Sequence, residues 1–352
     1  VQQADGTVLI TNDGATLLNK MHLDQPAAKM LVELARSQDA AAGDGTTSVT
    51  VLCGALLRAA LTLLESGVHP TLVSDAFGRA AARGAEELAG MSTPVSRDDR
   101  EALVRAASTS LSSKVVHAYS ALLSPMAVDA VLRVSDLDAP EAADLADVRV
   151  VSKLGGTLDD SRLVEGLVLD LPAAKGAGGP SRVENARVAL IQYQLSPPKS
   201  DMENNVVVGD YAAMDRILKE ERAHILAAVK RVRAAGCNVL LVQKSILRDA
   251  VSDMALHYLA KAKIMVVRDV ERDDVEFISK TLGLAPVAHP DALLPERLAH
   301  VGLVEEIEAG RSRVVQLTGI QSRGRTATIL LRASNSMVLE EAHRSLHDAL
   351  CA

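Results

Sequence analysis

The sequence predicts a multidomain α/β protein: a mostly helical first portion, a mixed α/β connecting arm, and a β-sheet domain covered by helices. Three observations carry this. The 352 residues are 48% hydrophobic, an ordinary globular composition whose length corresponds to two or three domains at about 150 residues each. Before residue 148, apolar residues recur mainly at helical spacing. From 148 onward, short apolar runs alternate with helical ones, as in a sheet flanked by helices.

In chain order, "VLI" at 8–10 reads as a strand end, and "TNDGAT" as a tight turn, because Asn-Asp-Gly is strong turn chemistry. Pro26 opens a helix with Met30, Leu31 and Leu34 on one face. A longer helix follows Gly43-Asp44-Gly45. Its apolar positions are Leu52, Cys53, Leu56, Leu57, Ala60, Leu61 and Leu64, and Gly67 stands where a closing glycine belongs. Pro70 starts another helix, ending near Gly90. The stretches 98–111 and 114–134 are helical by pattern, the second interrupted at Pro125. "VRVV" and "LVEGLVLDL" then read as strands, and the Gly-rich "AAKGAGGPS", 173–181, as a loop or boundary. Beyond it come "RVALIQYQL", a helix at about 211–235, "CNVLLVQ", a helix at 246–262, "KIMVVRDV", and a helix at 272–282. "TATILLRAS" is a further strand, and 335–351 an amphipathic helix; no repeat of solenoid period is visible.

The formal charge is −7, which argues against a nucleic-acid backbone as partner. The basic cluster Lys230, Arg231 and Arg233 shares its helix with Glu220 and Glu221, and reads as a solvated face laced with ion pairs. Cys53, Cys237 and Cys351 form neither a disulfide framework nor a CxxC zinc site; a reducing, cytoplasmic compartment is expected. No apolar run approaches the ~20 residues that span a bilayer, and "VQQADGTVLI" is no signal peptide. No membrane partner is therefore expected.

The chemistry concentrates in Gly43-Asp44-Gly45-Thr46-Thr47-Ser48. Glycines let backbone N–H groups approach a ligand, and the following helix start suits phosphate. Asp44 is placed for Mg²⁺, which takes a few carboxylates plus phosphate oxygens. On local grounds a loop whose Thr or Ser merely caps the helix is the favoured reading, and the GxxxxGK[ST] pattern is absent. Asp13 stands in a turn before a helix, where a purely turn-forming role is the default. Lys114, in "TSLSSKVV", is read as opening a helix, against the dipole, which hints at an anion. His343 and His347 share a face of the last helix, but HExxH is absent and no third zinc ligand is indicated. Asp348 has an ordinary role available as the partner of Arg344, four residues earlier. Together, the separated aspartates and a lysine at turns and helix starts suit magnesium-dependent phosphoryl transfer.

"TNDGATLL", "PAAKMLVELARSQD" and "AGDGTTSVTVL" resemble the nucleotide-site signatures of the group II chaperonins. The resemblance continues through "TSLSSKVV", "KLGGTLDDSRLVEGLVL", "NVLLVQKSI", "ALHYLAKAKIMVVRDVERDDVEFI" and "EEAHRSLHDAL", in order and over the whole chain. Within the family, "LLSPMAVDAVLRV" and "DYAAMDRILKEERAHI" are most similar to one eukaryotic subunit type. The resemblance implies a cytoplasmic, ATP-driven folding machine: a hetero-oligomeric double ring that encloses unfolded clients of the actin or tubulin type. It implies an equatorial ATP-binding part at 1–103, an outgoing intermediate arm at 104–171, an apical domain at 172–325, and a returning arm at 326–352. The helical protrusion that acts as a lid falls at about 195–221, and Gly166 near the apical hinge.

Roles follow motif by motif. Asp44 matches the magnesium ligand, and Gly45, Thr46, Thr47 and Ser48 the residues that hold the ATP phosphates. Asp348 matches the carboxylate that orients the attacking water, and Asp13 a second acid beside the γ-phosphate. Ser113 and Lys114 match contacts to nucleotide from the intermediate arm. On the helix near Asp273–Leu282, Val275, Ile278 and Leu282 are expected inward, with Asp274, Glu276 and Lys280 facing clients. The family's N-terminal "LGPKG"-type loop and C-terminal equatorial half with its "GGG" loop are not matched, so the sequence reads as part of a longer protein. A passive module that binds unfolded chains without hydrolysing ATP is the alternative for this chain by itself. A magnesium-dependent kinase-like enzyme has no acceptor-substrate motif to support it.

Overall fold

The first of two units comprises Val1–Asp129 with Glu340–Ala352, the second Ala130–Leu339. The computed structural model describes residues 6, 8–135, 143–175, 178–197, 207–246, 248–321 and 324–352. The expected protrusion tip within "SPPKSDMENN" falls largely at 198–206, outside the described residues.

Up to residue 134 the regular elements are helices: α1 (Gly14–Lys20), α2 (Pro26–Ala42), α3 (Thr46–Glu65), α4 (Pro70–Met91), α5 (Arg100–Ser112) and α6 (Ser120–Val134). Their starts follow sequence chemistry. Asp13 caps α1, accepting from the N–H groups of Ala15 and Thr16 at 3.2 and 2.9 Å. Pro26 and Pro70 occupy first-turn positions, where a missing N–H costs nothing. Asp99 caps α5 through Ala102 N–H at 3.0 Å.

Three expectations fail here. No strand forms at 8–10, where Val8 makes only a single bridge. Pro125 does not interrupt α6; one missing N–H is tolerated in a helix whose Leu123, Met126, Ala127 and Ala130 are buried. And α3, twenty residues long, is apolar enough by length and composition to cross a membrane. Arg58 and Gly54 break the apolar run in sequence, but the helix continues through both. Leu52, Leu57 and Leu61 are exposed along it.

The second unit holds two sheets. Strands β1 (Val148–Leu154), β2 (Arg162–Val164) and β9 (Ala327–Ala333) form the smaller, in order β1-β9-β2, with β1 parallel and β2 antiparallel to β9. The larger contains β3 (Gly166–Leu169), β4 (Arg182–Ile191), β5 (Val239–Gln243), β6 (Met265–Val270), β7 (Ala299–Ala309) and β8 (Ser312–Ile320), in order β3-β8-β7-β4-β5-β6. Only Glu165 separates β2 from β3, so the chain changes sheets at the Gly166 position.

Period-two alternation gives the large sheet two cores. Val188, Leu190, Val239, Leu241, Met265 and Val267 face one side, joined by Val275, Ile278 and Leu282 of α9 (Arg272–Leu282). Ala189, Ile191, Leu240, Val242 and Val266 face the other, beneath α7 (Tyr211–Ala234) and α8 (Asp253–Lys261). The expected helix at 246–262 is shorter, because Ser252 caps it through Ala255 N–H and Leu195 pairs with Val251 ahead of it. Strands β7 and β8, antiparallel along their length, were not anticipated. The Gly-rich loop is packed at its start, where Ala173 N–H donates to Glu306 and Ala174 N–H to the Val266 carbonyl. The final helix, α10, runs Ser336–Cys351.

Candidate functional site

The residue that opens α3 excludes the capping reading of Thr46, Thr47 and Ser48. Gly45 is its N-cap, in the left-handed region at φ 77°, and makes no side-chain cap bond. Thr46, Thr47 and Ser48 form the first turn rather than capping it, so among the described residues their N–H groups have no side-chain cap. Such an end attracts anions. Gly43, at φ 68°, closes α2 through its N–H to the Asp39 carbonyl at 2.9 Å. A Cβ on Gly43 would lie 2.5 Å from both Cβ and Sγ of Cys351, so the loop packs directly on the last turn of α10. A Cβ on Gly14 would lie 2.4 Å from Thr47 Oγ1, so the starts of α1 and α3 abut. Gln38 Nε2 donates to the Asp44 carbonyl at 3.0 Å and fixes the loop from behind.

Four segments distant in sequence bring charges to this point. Asp44 Oδ1 accepts from Gly45 N–H at 2.8 Å, and Oδ2 from the Ser110 hydroxyl at 2.8 Å. Burial pushes the Asp44 carboxyl up, but these bonds and the Lys114 charge outweigh it, leaving it below the ordinary carboxylate range. Asp13 behaves alike: burial raises it, while bonds from Thr16 and Ala15 and the Lys114 charge bring it lower. Thr46 Oγ1 also donates to Asp13 Oδ1 at 3.4 Å. Lys114 does not open a helix; it follows the C-cap of α5, where a cation suits the dipole. Its Nζ lies 2.5 Å from Asp348 Oδ2 and 3.5 Å from Asp44 Oδ1. Burial works against its charge, but Asp348, Asp44 and Asp13 hold its pKa above the ordinary lysine value.

Asp348 is the exception among the carboxylates. Burial, reinforced by the charges of Asp13 and Asp44, lifts it to about 6 despite Lys114. The two ends of this ion pair shift in opposite senses of favourability for a simple reason: the lysine meets three carboxylates, while Asp348 meets one lysine and two like charges. Apart from Lys114, Asp348 Oδ2 has no donor among the described residues. Asp348 does not pair with Arg344, which binds Glu341 instead. Asp39, on the last turn of α2, is also raised, by burial and the Asp13 charge, with His347 and Lys114 opposing.

The other anticipated residues are placed differently. Ser113 uses its hydroxyl on the Ser110 carbonyl, while its own carbonyl accepts from Asn12 Nδ2 at 3.3 Å. Thr47 and Ser48 are exposed at the helix start. Burial and the charges of His347 and Arg344 hold His343 below the ordinary histidine value, and no group of three or more His, Cys, Asp or Glu side chains suited to a metal forms among the described residues. In the second unit, Asp274 pairs with Arg149 at 2.5 Å and Lys280 with Asp147, while Glu276 is exposed. Val275, Ile278 and Leu282 are buried, as expected. Sequence reasoning missed Ser110, which holds Asp44, and Glu341, whose buried carboxylate receives Asn12 N–H at 3.4 Å. Both lie within motif stretches, but their roles depend on contacts across more than sixty residues.

The arrangement pairs an open anion-binding helix start with an excess of carboxylates over cations. It therefore suits an anionic ligand only together with a further cation, and a Mg²⁺ held by one or two carboxylates and phosphate oxygens needs no three-carboxylate cluster. The chain is 58% identical over 351 residues to T-complex protein 1 subunit delta of Arabidopsis thaliana, 55% over 352 to that of Takifugu rubripes, and 54% over 352 to that of Homo sapiens. Each match covers 100% of this chain and 65–66% of the relative, so the chain spans just under two thirds of their length. The model of the TCP-1/cpn60 chaperonin family matches residues 1–352. With the whole sequence matched and the helical and sheet units both accounted for, the chain belongs to the TCP-1/cpn60 chaperonin family.

Proposed function

We propose that the chain is the larger part of an ATP-hydrolysing chaperonin subunit, acting in the cytoplasm within a hetero-oligomeric double ring that encloses unfolded clients, of the actin or tubulin type, by lid closure. The observation that carries the site is the uncapped start of α3, with Asp44 immediately before it and the Lys114–Asp348 pair beside it. The N–H groups and hydroxyls of Gly45, Thr46, Thr47 and Ser48 hold the ATP phosphates. Asp44, kept ionised by Gly45, Ser110 and Lys114, holds Mg²⁺, which when bound neutralises charge on the phosphate oxygens. Asp348 orients the attacking water through the oxygen that Lys114 alone contacts; its pKa near 6 suits a group that takes a proton near neutral pH. Lys114 sets the charge and position of Asp348, Asp13 supports the γ-phosphate side, and Ser113 positions the segment.

Supporting the domain reading of 1–103, 104–171, 172–325 and 326–352 is the pairing of β1 with β9, which joins the two arm segments in one sheet. Client contact is assigned to the protrusion at about 195–221, where Val207, Tyr211 and Met214 are exposed, and to Glu276 on α9. Asp274 and Lys280 reach clients only when their pairs with Arg149 and Asp147 open. The exposed face of α3 is assigned to protein rather than lipid, because Arg58 lies mid-helix and would cost about 2.5–3.5 kcal/mol in a bilayer centre. A second reading, unfolded-chain binding without hydrolysis by this chain alone, is favoured by the contrast between the two-sided core of the large sheet and the open apolar surface of α3.

The test is single-turnover ATP hydrolysis beside equilibrium Mg-ATP binding, in the full-length subunit assembled with partners that cannot hydrolyse. Asp348→Ala is expected to abolish hydrolysis and spare binding. Near-normal hydrolysis by that variant refutes the assignment.

A further inference from the structure

Three residues flank the charged cluster, two of them one position away from its members and the third two helical turns away. Asn12 precedes Asp13, Ser113 precedes Lys114, and Glu341 lies two helical turns before Asp348 on the same face of α10. Asn12 links the other two. Glu341 Oε1 accepts from the backbone N–H of Asn12 at 3.4 Å, and Asn12 Nδ2 donates to the Ser113 carbonyl at 3.3 Å. Glu341 Oε2 accepts from Arg344 Nε and Nη2 at 3.3 and 3.0 Å. Glu341 is 2% exposed, so both its oxygens are held inside the protein.

A buried carboxylate is costly unless it is bonded and paired, and this one touches nothing of the Asp44–Lys114–Asp348 group directly. What it does touch is the backbone that carries Asp13 and, through Asn12, the backbone that carries Lys114. A shift of α10 by a fraction of a turn would break the Asn12 bond and withdraw Asp348 from Lys114 together. Misplacement of about 1 Å in a reacting group can cost roughly a hundredfold in rate.

We propose that Glu341 is a positioning residue for hydrolysis: it docks α10 on the Asn12 and Ser113 backbone, so that Asp348 meets Lys114 beside the α3 start. Arg344 holds the Glu341 side chain in the rotamer that reaches Asn12. This rests on the reading of Asp348 as the water-orienting group.

The experiment uses the full-length subunit in an assembly whose other subunits cannot hydrolyse. The single-turnover rate constant, which is insensitive to a fraction of dead protein, is measured with Mg-ATP affinity for the wild type, Glu341→Ala, Glu341→Gln and Asp348→Ala. Glu341→Ala is expected to lower the rate constant at least tenfold, with affinity within about twofold. Glu341→Gln keeps an acceptor for Asn12 but loses the charge that Arg344 grips, and is expected to fall several-fold, between the two. If Asp348→Ala is inactive while both Glu341 variants hydrolyse at the wild-type rate, the proposal is overturned and the reading of Asp348 stands. If Asp348→Ala hydrolyses normally, that reading falls and takes the proposal with it. Should Glu341→Ala fail to assemble, a wild-type rate constant in Glu341→Gln overturns the proposal. Equal losses of affinity and rate in either variant overturn it as well, since they describe a damaged binding loop rather than a displaced helix.

Discussion

Replacing Asp348 by Asn should stabilise α10 while removing hydrolysis. In the folded chain, burial with the Asp13 and Asp44 charges raises the Asp348 pKa from 3.8 to about 6. The folded state thus binds the proton more tightly than the unfolded one. The stabilisation tied to that proton is complete below 3.8 and is lost as pH rises through about 6. At pH 7 the ionised form is therefore held at a cost of roughly 3 kcal/mol, taking 1.36 kcal/mol per unit over about two units. An amide of the same shape avoids it. The assay is hydrogen exchange of the α10 amides in the nucleotide-free, full-length protein, corrected for intrinsic rates. Exchange through local opening is expected to slow by up to about 100-fold in Asp348→Asn at pH 7. The wild type should itself be better protected at pH 5 than at pH 7. Single-turnover hydrolysis should fall by about 10²–10⁴-fold in the same variant. Faster exchange in Asp348→Asn, or a wild type whose α10 is indifferent to pH, would show that Lys114 overcompensates burial and that the raised pKa is wrong.

Asp44→Ala removes a group set at the mouth of α3, so Mg-ATP affinity and turnover should fall together, unlike the separation expected for Asp348; calorimetry with single-turnover kinetics checks this. Gly43→Ala and Gly45→Ala both meet a positive φ, but the added Cβ at Gly43 also runs into Cys351, whereas at Gly45 only Gln38 Nε2 lies within 4 Å, at 3.6 Å. Thermal unfolding should therefore show both variants destabilised by backbone strain of about 1–3 kcal/mol and Gly43→Ala the more so, and Cys351→Gly should recover part of the difference. Residues 180–325 carry the central strands with a core on each face, and should unfold cooperatively when expressed alone; a broad, featureless calorimetric profile would refute that. This 352-residue chain by itself should bind Mg-ATP weakly and aggregate through α3, which light scattering and calorimetry can test.

The parts of the fold that could be read from sequence are those with local causes. Asp13, Pro26, Pro70 and Asp99 start helices by their own chemistry, and the alternation in "VALI" and "VLLV" gives a sheet buried on both faces. Strands β7 and β8 were harder, because buried, half-buried and exposed positions mix along them and glutamates at 305, 306 and 308 blur the alternation. Lys114 was misread for a related reason: "SSKVV" is consistent with a helix start, but the turn there follows the end of α5. The loop chemistry of Gly43–Ser48 was legible as an anion site or a cap, and the geometry of Gly45 removes the cap. Asp13, Asp44, Lys114 and Asp348 stood out by local turn and helix-start chemistry, each with an ordinary role beside it, and the family resemblance supplied their individual roles. Their mutual distances, and the supporting roles of Ser110 and Glu341, depend on four chain-distant segments meeting, which no local pattern encodes.

Several features of the site are each unfavourable without a ligand. The first turn of α3 leaves its N–H groups without a side-chain cap, worth about 1 kcal/mol by comparison with ordinary caps. Asp348 and Asp39 are both raised by burial and like charge. Carboxylates outnumber the one buried lysine among them. A random accumulation of such costs would be relieved by unrelated changes. These share one remedy: a phosphate supplies the acceptor that α3 lacks, and a divalent cation relieves the repulsion among the carboxylates. On the proposed reading, a single ligand pair would reverse these costs through the contacts that α1, α3, α5 and α10 make around Asp348. On that logic, binding and closure of the site are one thermodynamic event. Substitutions that relieve the strain without ligand, such as Asp348→Asn, should weaken the coupling even where they strengthen the fold.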